Sequence, residues 1–181
     1  LVQYLISKGS DINLEDSHGT TPLVFAATNG QFDPALYEAF FKAGINPKKK
    51  YKDGENLLLL AIPSDKDLKL TDYLITKGLS LKDVDNNGST AFDYAAKIGN
   101  ITLLKKLLDR KVKYTDNALL IATQGNRRET TSLDAYKFLV EELKLKPTVT
   151  GKSGENVLHL LAGKPNQKEI IEYFLAKGVD V

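Results

Sequence analysis

The chain of 181 residues has no cysteine, no methionine, no tryptophan and only two histidines. Without cysteine there is no disulfide, no thiolate metal site and no thiol nucleophile, and the redox compartment stays open because nothing remains to be oxidised. A strong charge of one sign is also missing. Twenty-five Lys and Arg stand against 23 Asp and Glu, a formal net charge of +2, so no whole-chain field draws nucleic acid or anionic lipid, and any basic site must be local. With 42% apolar and 27% charged residues, the composition is that of a folded chain and calls for neither a membrane nor a disordered reading. The opening "LVQYLISKG" lacks a basic start and a small-residue cleavage pattern, so it reads as an apolar helix rather than a signal peptide. The chain is expected to be a piece of a longer protein, which leaves its cellular compartment undecided.

What the sequence does contain is a period. A helix end followed by glycine recurs in "LISKGSDIN" at Gly9, "FFKAGINP" at Gly44, "LITKGLSL" at Gly78 and "FLAKGVDV" at Gly178. Lys111 in "LLDRKVKY" and Lys144 in "VEELKLKP" occupy the same place. These six positions are 35, 34, 33, 33 and 34 residues apart, and such regularity signals a stacked array rather than an ordinary globular core.

A second phrase, a polar cap before a short apolar run, recurs as "TPLVFAA" at Thr21, "NLLLLAI" at Asn56, "TAFDYAA" at Thr90, "NALLIAT" at Asn117 and "NVLHLLA" at Asn156. The Thr or Asn oxygen can accept from the free amides of a first helical turn, so five helix starts are expected there. Ala26, Ala27, Ala61, Ala95, Ala96, Ala122 and Ala162 make these helices thin, and Gly30, Gly99, Gly125 and Gly163 are expected to end them in left-handed conformations. A bulkier helix follows each, with Asp33, Asn100, Ser132 and Asn166 as expected caps and Glu169 in capping-box position to Asn166. Thin inner and thick outer helices should bend the stack, with the inner helices on the concave side.

The segment "GSDINLEDSHGTTPLVFAATNG", Gly9 to Gly30, resembles the ankyrin repeat at Gly9, Asp11, Asn13, Asp16, Gly19, Thr21, Pro22, Leu23, Ala26, Ala27 and Gly30. "DNNGSTAFDYAAKIGN" resembles it at Asp85, Gly88, Thr90, Ala95, Ala96 and Gly99. Tetratricopeptide arrays have a similar period but lack this long loop, which in ankyrin proteins forms a projecting hairpin finger. The resemblance implies an all-α, curved ankyrin-repeat solenoid of helix-turn-helix units with finger loops. The expected divisions are a partial repeat over 1–17, repeats over 18–52, 53–86 and 87–116, an irregular repeat over 117–152, and a last one over 153–181. Neighbouring repeats are expected on both sides, and the isolated chain should self-associate or fray at Leu1 to Gly9.

Few residues point to chemistry. "TGKSGEN", Thr150 to Asn156, ends like a phosphate-binding loop, but that loop needs a glycine five residues before Gly151, where Lys146 stands. His18 and His159 fall in repeats four apart and cannot share a metal or a proton; His159 stands at the position of the family's T-P-L-H histidine, which implies a structural hydrogen bond. No Ser-His-Asp set, paired carboxylates or metal-ligand spacing appears, so no catalysis, cofactor or metal is expected. The glycosylation triplets at Asn87 and Asn100 are explained by turn and cap chemistry.

The fourth repeat departs from the pattern. Only six residues separate Lys111 from Asn117, where the other repeats have twelve, so "KVKYTD" is too short for a finger and leaves Tyr114 in a notch. The turn between its helices is enlarged to "QGNRRETTS", with Arg127 and Arg128 as an expected secondary contact. The expected function is a non-enzymatic scaffold binding a protein of unknown identity through its finger loops and the concave face of its inner helices. Its expected contacts are the positions around the finger glycines: Ser17, His18 and Thr20; Lys52, Asp53 and Glu55; Asn86, Asn87 and Ser89; Lys152, Ser153 and Glu155. Two alternatives stand beside it. The lysines of "NPKKKYKDG", Lys48 to Lys50 and Lys52 around Tyr51, could bind a polyanion, though nucleic acid is the least expected partner. The piece could also be the regulatory arm of an enzyme encoded outside it.

Overall fold

The computed structural model describes residues 4, 7–17, 20–30, 32–125 and 131–180. Among these there are helices and turns and no strand. The chain divides into two compact units, Leu1–Gly88 and Ser89–Val181.

In the first unit, α1 (Pro22–Thr28) and α2 (Pro34–Lys42) form one helix pair. α3 (Leu57–Ala61), extended by a tight 3-10 turn over Ile62–Ser64, and α4 (Lys69–Thr76) form the next. α1 packs on α3, and α3 on α4. Leu23, Tyr37, Phe40, Leu57, Leu58, Leu59, Ile62 and Leu74 are buried between them. In the second unit the pairs are α5 (Ala91–Ala95) with α6 (Ile101–Asp109), α7 (Asn117–Ala122) with α8 (Leu133–Lys137), and α9 (Val157–Leu161) with α10 (Lys168–Ala176). α5 packs on α7 and α7 on α9, around Phe92, Leu104, Leu119, Tyr136, Leu139 and Phe174.

Caps fix where the inner helices start. Thr21, Asn56, Thr90 and Asn156 each accept from a first-turn amide, as expected. Asn117 does not. It is the first residue of α7, with Asp116 at the cap position, because the shortened connection brings in Thr115, whose hydroxyl accepts from the Asn117 amide at 3.2 Å. Of the outer helices, Asp33, Asn100 and Ser132 cap as expected. Asn166 takes a left-handed backbone (φ 57°) instead, which passes the cap position to Gln167, whose side chain makes no capping bond to the helix and donates to the Pro165 carbonyl at 2.9 Å. Gly30, Gly99 and Gly125 are left-handed as expected; Gly163 is not, since the Lys164 amide closes that turn on the Leu161 carbonyl.

The period itself has a physical cause at the outer-helix ends. Gly44, Gly78 and Gly178 have positive φ, and so do Lys111 (57°) and Lys144 (61°). The next residue then turns its amide back onto the helix: Ile45 to the Phe40 carbonyl, Leu79 to Leu74, Val112 to Leu107 and Val179 to Phe174, at 3.0–3.3 Å. This is the closing bond of a Schellman turn, which an apolar contact accompanies, and Ile45, Leu79, Val112, Leu145 and Val179 are all buried. After α8 the chain makes a wider π turn over Phe138–Glu142, so Leu145 reaches back to Leu139 instead.

Candidate interaction surface

The fingers are tight turns rather than β hairpins. One backbone bond spans three of them, from the Asp16 amide to the Thr20 carbonyl (3.1 Å), from Tyr51 to Glu55 (2.8 Å) and from Gly151 to Glu155 (2.7 Å), whereas over residues 85–88 the Gly88 amide bonds the Asp85 carbonyl (3.1 Å). A ladder would need further rungs, and the turns are too short to supply them.

The repeated Gly-Glu-Asn phrase is a hydrogen-bonding unit. Gly54 and Gly154 take φ of 81° and 83°. The next residue, Glu55 or Glu155, folds its carboxylate back onto the amide of Asp53 (2.8 Å) or Ser153 (3.0 Å). Asn56 and Asn156 then cap their helices through Oδ1 and reach with Nδ2 to the chain that follows the outer helix, at the Asp83 carboxylate (2.7 Å) and the Asp180 carbonyl (2.6 Å). The phrase therefore shapes a finger, starts a helix and ties down the next loop.

Of the residues expected to meet a partner, Ser17, Lys52, Asp53, Asn86, Asn87, Lys152 and Ser153 are exposed and Thr20 is half-buried. Glu55 and Glu155 are half-buried and already bonded within their own fingers. Ser89 is not a surface position: it is 2% exposed, and its hydroxyl accepts from Asn117 Nδ2 at 3.3 Å. A serine directly before a cap residue turns inward with that cap. His18, Arg127 and Arg128 lie outside the described residues. The ends of the Arg127 loop are described and anchored. The Thr131 hydroxyl is buried against the Lys97 carbonyl (3.2 Å), and Lys164 Nζ donates to the Thr123 and Gln124 carbonyls. Burial, with Lys164 nearby, holds the Lys97 amine below its ordinary pKa.

The basic finger is less available than its sequence implies. Lys49 Nζ pairs with Glu15 at 3.0 Å and stands 5.5 Å from the Tyr51 ring centre, while Lys50 Nζ reaches the Val84 carbonyl at 3.4 Å. Lys48 and Lys52 are exposed. His159 is exposed, and its ring faces the Asn156 Oδ1 across 2.8 Å at the start of α9.

Sequence reasoning expected the inner-helix face to bind but named none of its residues. Four positions after each inner-helix cap stands an apolar side chain turned outward: Phe25 and Leu60 in the first unit, Tyr94, Leu120 and Leu160 in the second. Their neighbours on the same helices point into the core. Phe25 is 63% exposed, and the other four are partly exposed. The signal was present in the aligned phrases, but each run is so apolar throughout that no polar face marked the outward position.

The family model for ankyrin repeats in many copies matches residues 57–108. This agrees with the caps, finger turns and helix pairs. The chain carries ankyrin repeats. The chain is also similar to curated proteins. A fowlpox virus ankyrin repeat protein is 27% identical over 109 residues, 60% of this chain and 74% of that protein. The human transient receptor potential cation channel subfamily A member 1 is 30% identical over 112 residues, 60% of this chain and 10% of the channel. A palmitoyltransferase of Lachancea kluyveri is 34% identical over 123 residues, 64% of this chain and 16% of that protein. Ankyrin repeats generally mediate protein–protein interaction and are generally not enzymes. Among the described residues no cluster of His, Asp or Glu suited to a metal is found, and no helix is long and apolar enough to cross a membrane.

Proposed function

We propose that this ankyrin array is a non-enzymatic scaffold that binds a protein partner through the outward apolar residue of each inner helix and the exposed turns beside it. The observation that supports this most directly is Phe25, an aromatic ring on a capped helix with 63% of its surface in water. Covering such a ring with a partner is worth about 1.5–3 kcal/mol, and aromatic residues are enriched among the anchors of protein interfaces. Leu60, Tyr94, Leu120 and Leu160 repeat the position. Ser17, Thr20, Lys52, Asp53, Asn86, Asn87, Lys152 and Ser153 supply a polar rim, the pattern of non-obligate interfaces. His18, Arg127 and Arg128 remain proposed contacts. Glu55 and Glu155 contribute by shaping the fingers.

Polyanion binding through Lys48–Lys52 is the weaker reading, because Lys49 is already neutralised by Glu15. It would require affinity for a heparin probe that falls steeply with salt. A regulatory arm within a larger protein is a further reading, supported by the channel and palmitoyltransferase relatives, of which this chain spans small parts. The test of the scaffold reading is to replace Phe25 with Ser and measure partner affinity beside the thermal midpoint. Loss of affinity at an unchanged midpoint is expected.

A further inference from the structure

After α6 and α8, lysine stands at two places where the first unit has other residues. The first place is the left-handed residue that ends an outer helix, a conformation that suits glycine and strains a residue with a side chain. Gly44 and Gly78 occupy it in the first unit, Lys111 and Lys144 in the second. The second place lies two residues further on. There the first unit carries a side chain that accepts from the amide two positions ahead: Asp11 from Asn13 (2.8 Å), Asn46 from Lys48 (2.9 Å) and Ser80 from Lys82 (3.1 Å). The second unit has Lys113 and Lys146 instead, and lysine has no acceptor. The turn at Lys146 keeps its backbone bond, from the Val149 amide to the Lys146 carbonyl at 3.2 Å, without that side-chain support.

The fold gains nothing from these lysines. A cation at a helix C-terminus interacts favourably with the helix dipole, but Arg110 supplies one for α6 a residue earlier, as Lys77 does for α4 and Lys177 for α10. All four side chains are exposed, and no ion pair among the described residues involves any of them. The two connections meet, because the Lys146 amide donates to Asp116 Oδ1 at 2.7 Å. Within each connection the lysines are two residues apart, at most about 7 Å along the chain, and packed helices of successive repeats lie about 10 Å apart. Four cations therefore share one edge of the second unit. Side chains that break a local preference without a gain to the fold mark functional positions.

We propose that Lys111, Lys113, Lys144 and Lys146 bind an acidic polypeptide segment, a short run rich in Asp and Glu. Extended chain puts alternate side chains on one face about 7 Å apart, so such a run can set a carboxylate against each lysine. Single-stranded nucleic acid fits less well, since it needs open aromatic faces, and the one aromatic ring in these connections, Tyr114, packs 5.2 Å from the Phe92 ring. The patch lies in the second unit and does not involve Phe25 of the first.

Fluorescence anisotropy of a labelled oligoglutamate peptide, titrated with the 181-residue chain, tests this. The peptide should bind, and less tightly as salt rises. The variant Lys111→Gly/Lys113→Asn/Lys144→Gly/Lys146→Asn should bind it at least about tenfold more weakly, without a lower thermal midpoint, because it restores the residue types of the first unit. The pair Lys113→Asn/Lys146→Asn, which leaves the helix ends as they are, should lose about threefold. Changing Lys42, Lys66, Lys82 and Lys168 to Gln removes the same charge from exposed sites elsewhere, and should leave the affinity within about twofold. Equal affinity in the four-lysine variant, or an equal loss in the charge-matched control, would overturn the proposal. So would a labelled single-stranded oligonucleotide or a phosphatidylserine vesicle that binds the patch more tightly than oligoglutamate. None of these results bears on the Phe25→Ser test, so the patch and the inner-helix surface stand or fall separately.

Discussion

Thr115 holds the carboxylate of Asp93 at both oxygens: its amide donates to Oδ1 at 2.8 Å and its hydroxyl to Oδ2 at 2.7 Å. The Thr90 amide donates to Oδ2 as well, at 2.9 Å. Asp93 is fully buried on α5, and Thr115 lies in the connection that lacks a finger. Where the other repeats have a projecting turn, this one ties its short connection to a carboxylate of the preceding inner helix. Tyr114, packed 5.2 Å from the Phe92 ring, covers the same place. Asp93→Asn presents one amide group where two backbone N–H donors need acceptors, so one donor is left unpaired whichever way the side chain turns. A loss of about 1–3 kcal/mol of stability is expected at neutral pH, checked by urea denaturation.

The same carboxyl gives stability a pH dependence. Burial pushes Asp93 up to about 6, against the pull of its Thr115 and Thr90 donors. The folded chain therefore holds this proton at pH values where the unfolded chain has lost it. Stability should fall as pH rises from about 4 to about 6 and level off above, by roughly 3 kcal/mol at most for a shift of about two units. The Asp93→Asn variant should lack this component. Denaturation midpoints of both proteins across that range provide the comparison.

Lys111 and Lys144 hold the left-handed conformation that glycine holds in the other repeats. Both side chains are exposed, so replacement removes backbone strain without opening the core. Lys111→Gly and Lys144→Gly should each stabilise by about 0.5–1 kcal/mol. A lower thermal midpoint for either would mean that the lysine side chain outweighs the strain.

The Arg127 loop can be separated from its anchors. Replacing residues 126–130 with Gly-Ser-Gly keeps Gly125 and the buried Thr131, and should leave the thermal midpoint unchanged. Thr131→Ala, which removes the hydroxyl bond to the Lys97 carbonyl, should cost about 1 kcal/mol. If Arg127 and Arg128 contact the partner, the trimmed chain binds it severalfold more weakly. Equal affinity would assign the insertion to drift in a tolerant loop.

The repeat architecture was legible because its signals are local. Thr21, Asn56, Thr90 and Asn156 cap, and Gly44, Gly78 and Gly178 end helices, through bonds to residues only a few positions away. Lys111 and Lys144 could be placed because the period outranked residue type. What stayed hidden depends on partners distant in sequence. Asn117 has the residue type of a cap, but Thr115 and the missing finger move the helix start by one. Asp65 accepts from the Leu70 and Thr71 amides at the start of α4 from five and six residues upstream, outside any capping pattern. Ser89 resembled a finger residue and is buried. The outward set led by Phe25 was hidden because apolar residues fill both sides of the inner helices.

The central claim is that binding resides in the outward inner-helix residues and finger turns rather than in the fold. The most direct measurement is calorimetric titration of a captured partner into the parent chain, into Phe25→Ser, and into a chain with Lys52→Glu, Asn87→Lys and Lys152→Glu, each with its melting curve. The account predicts that both variants bind at least about tenfold more weakly while their thermal midpoints match the parent. Parental affinity in both variants would contradict it.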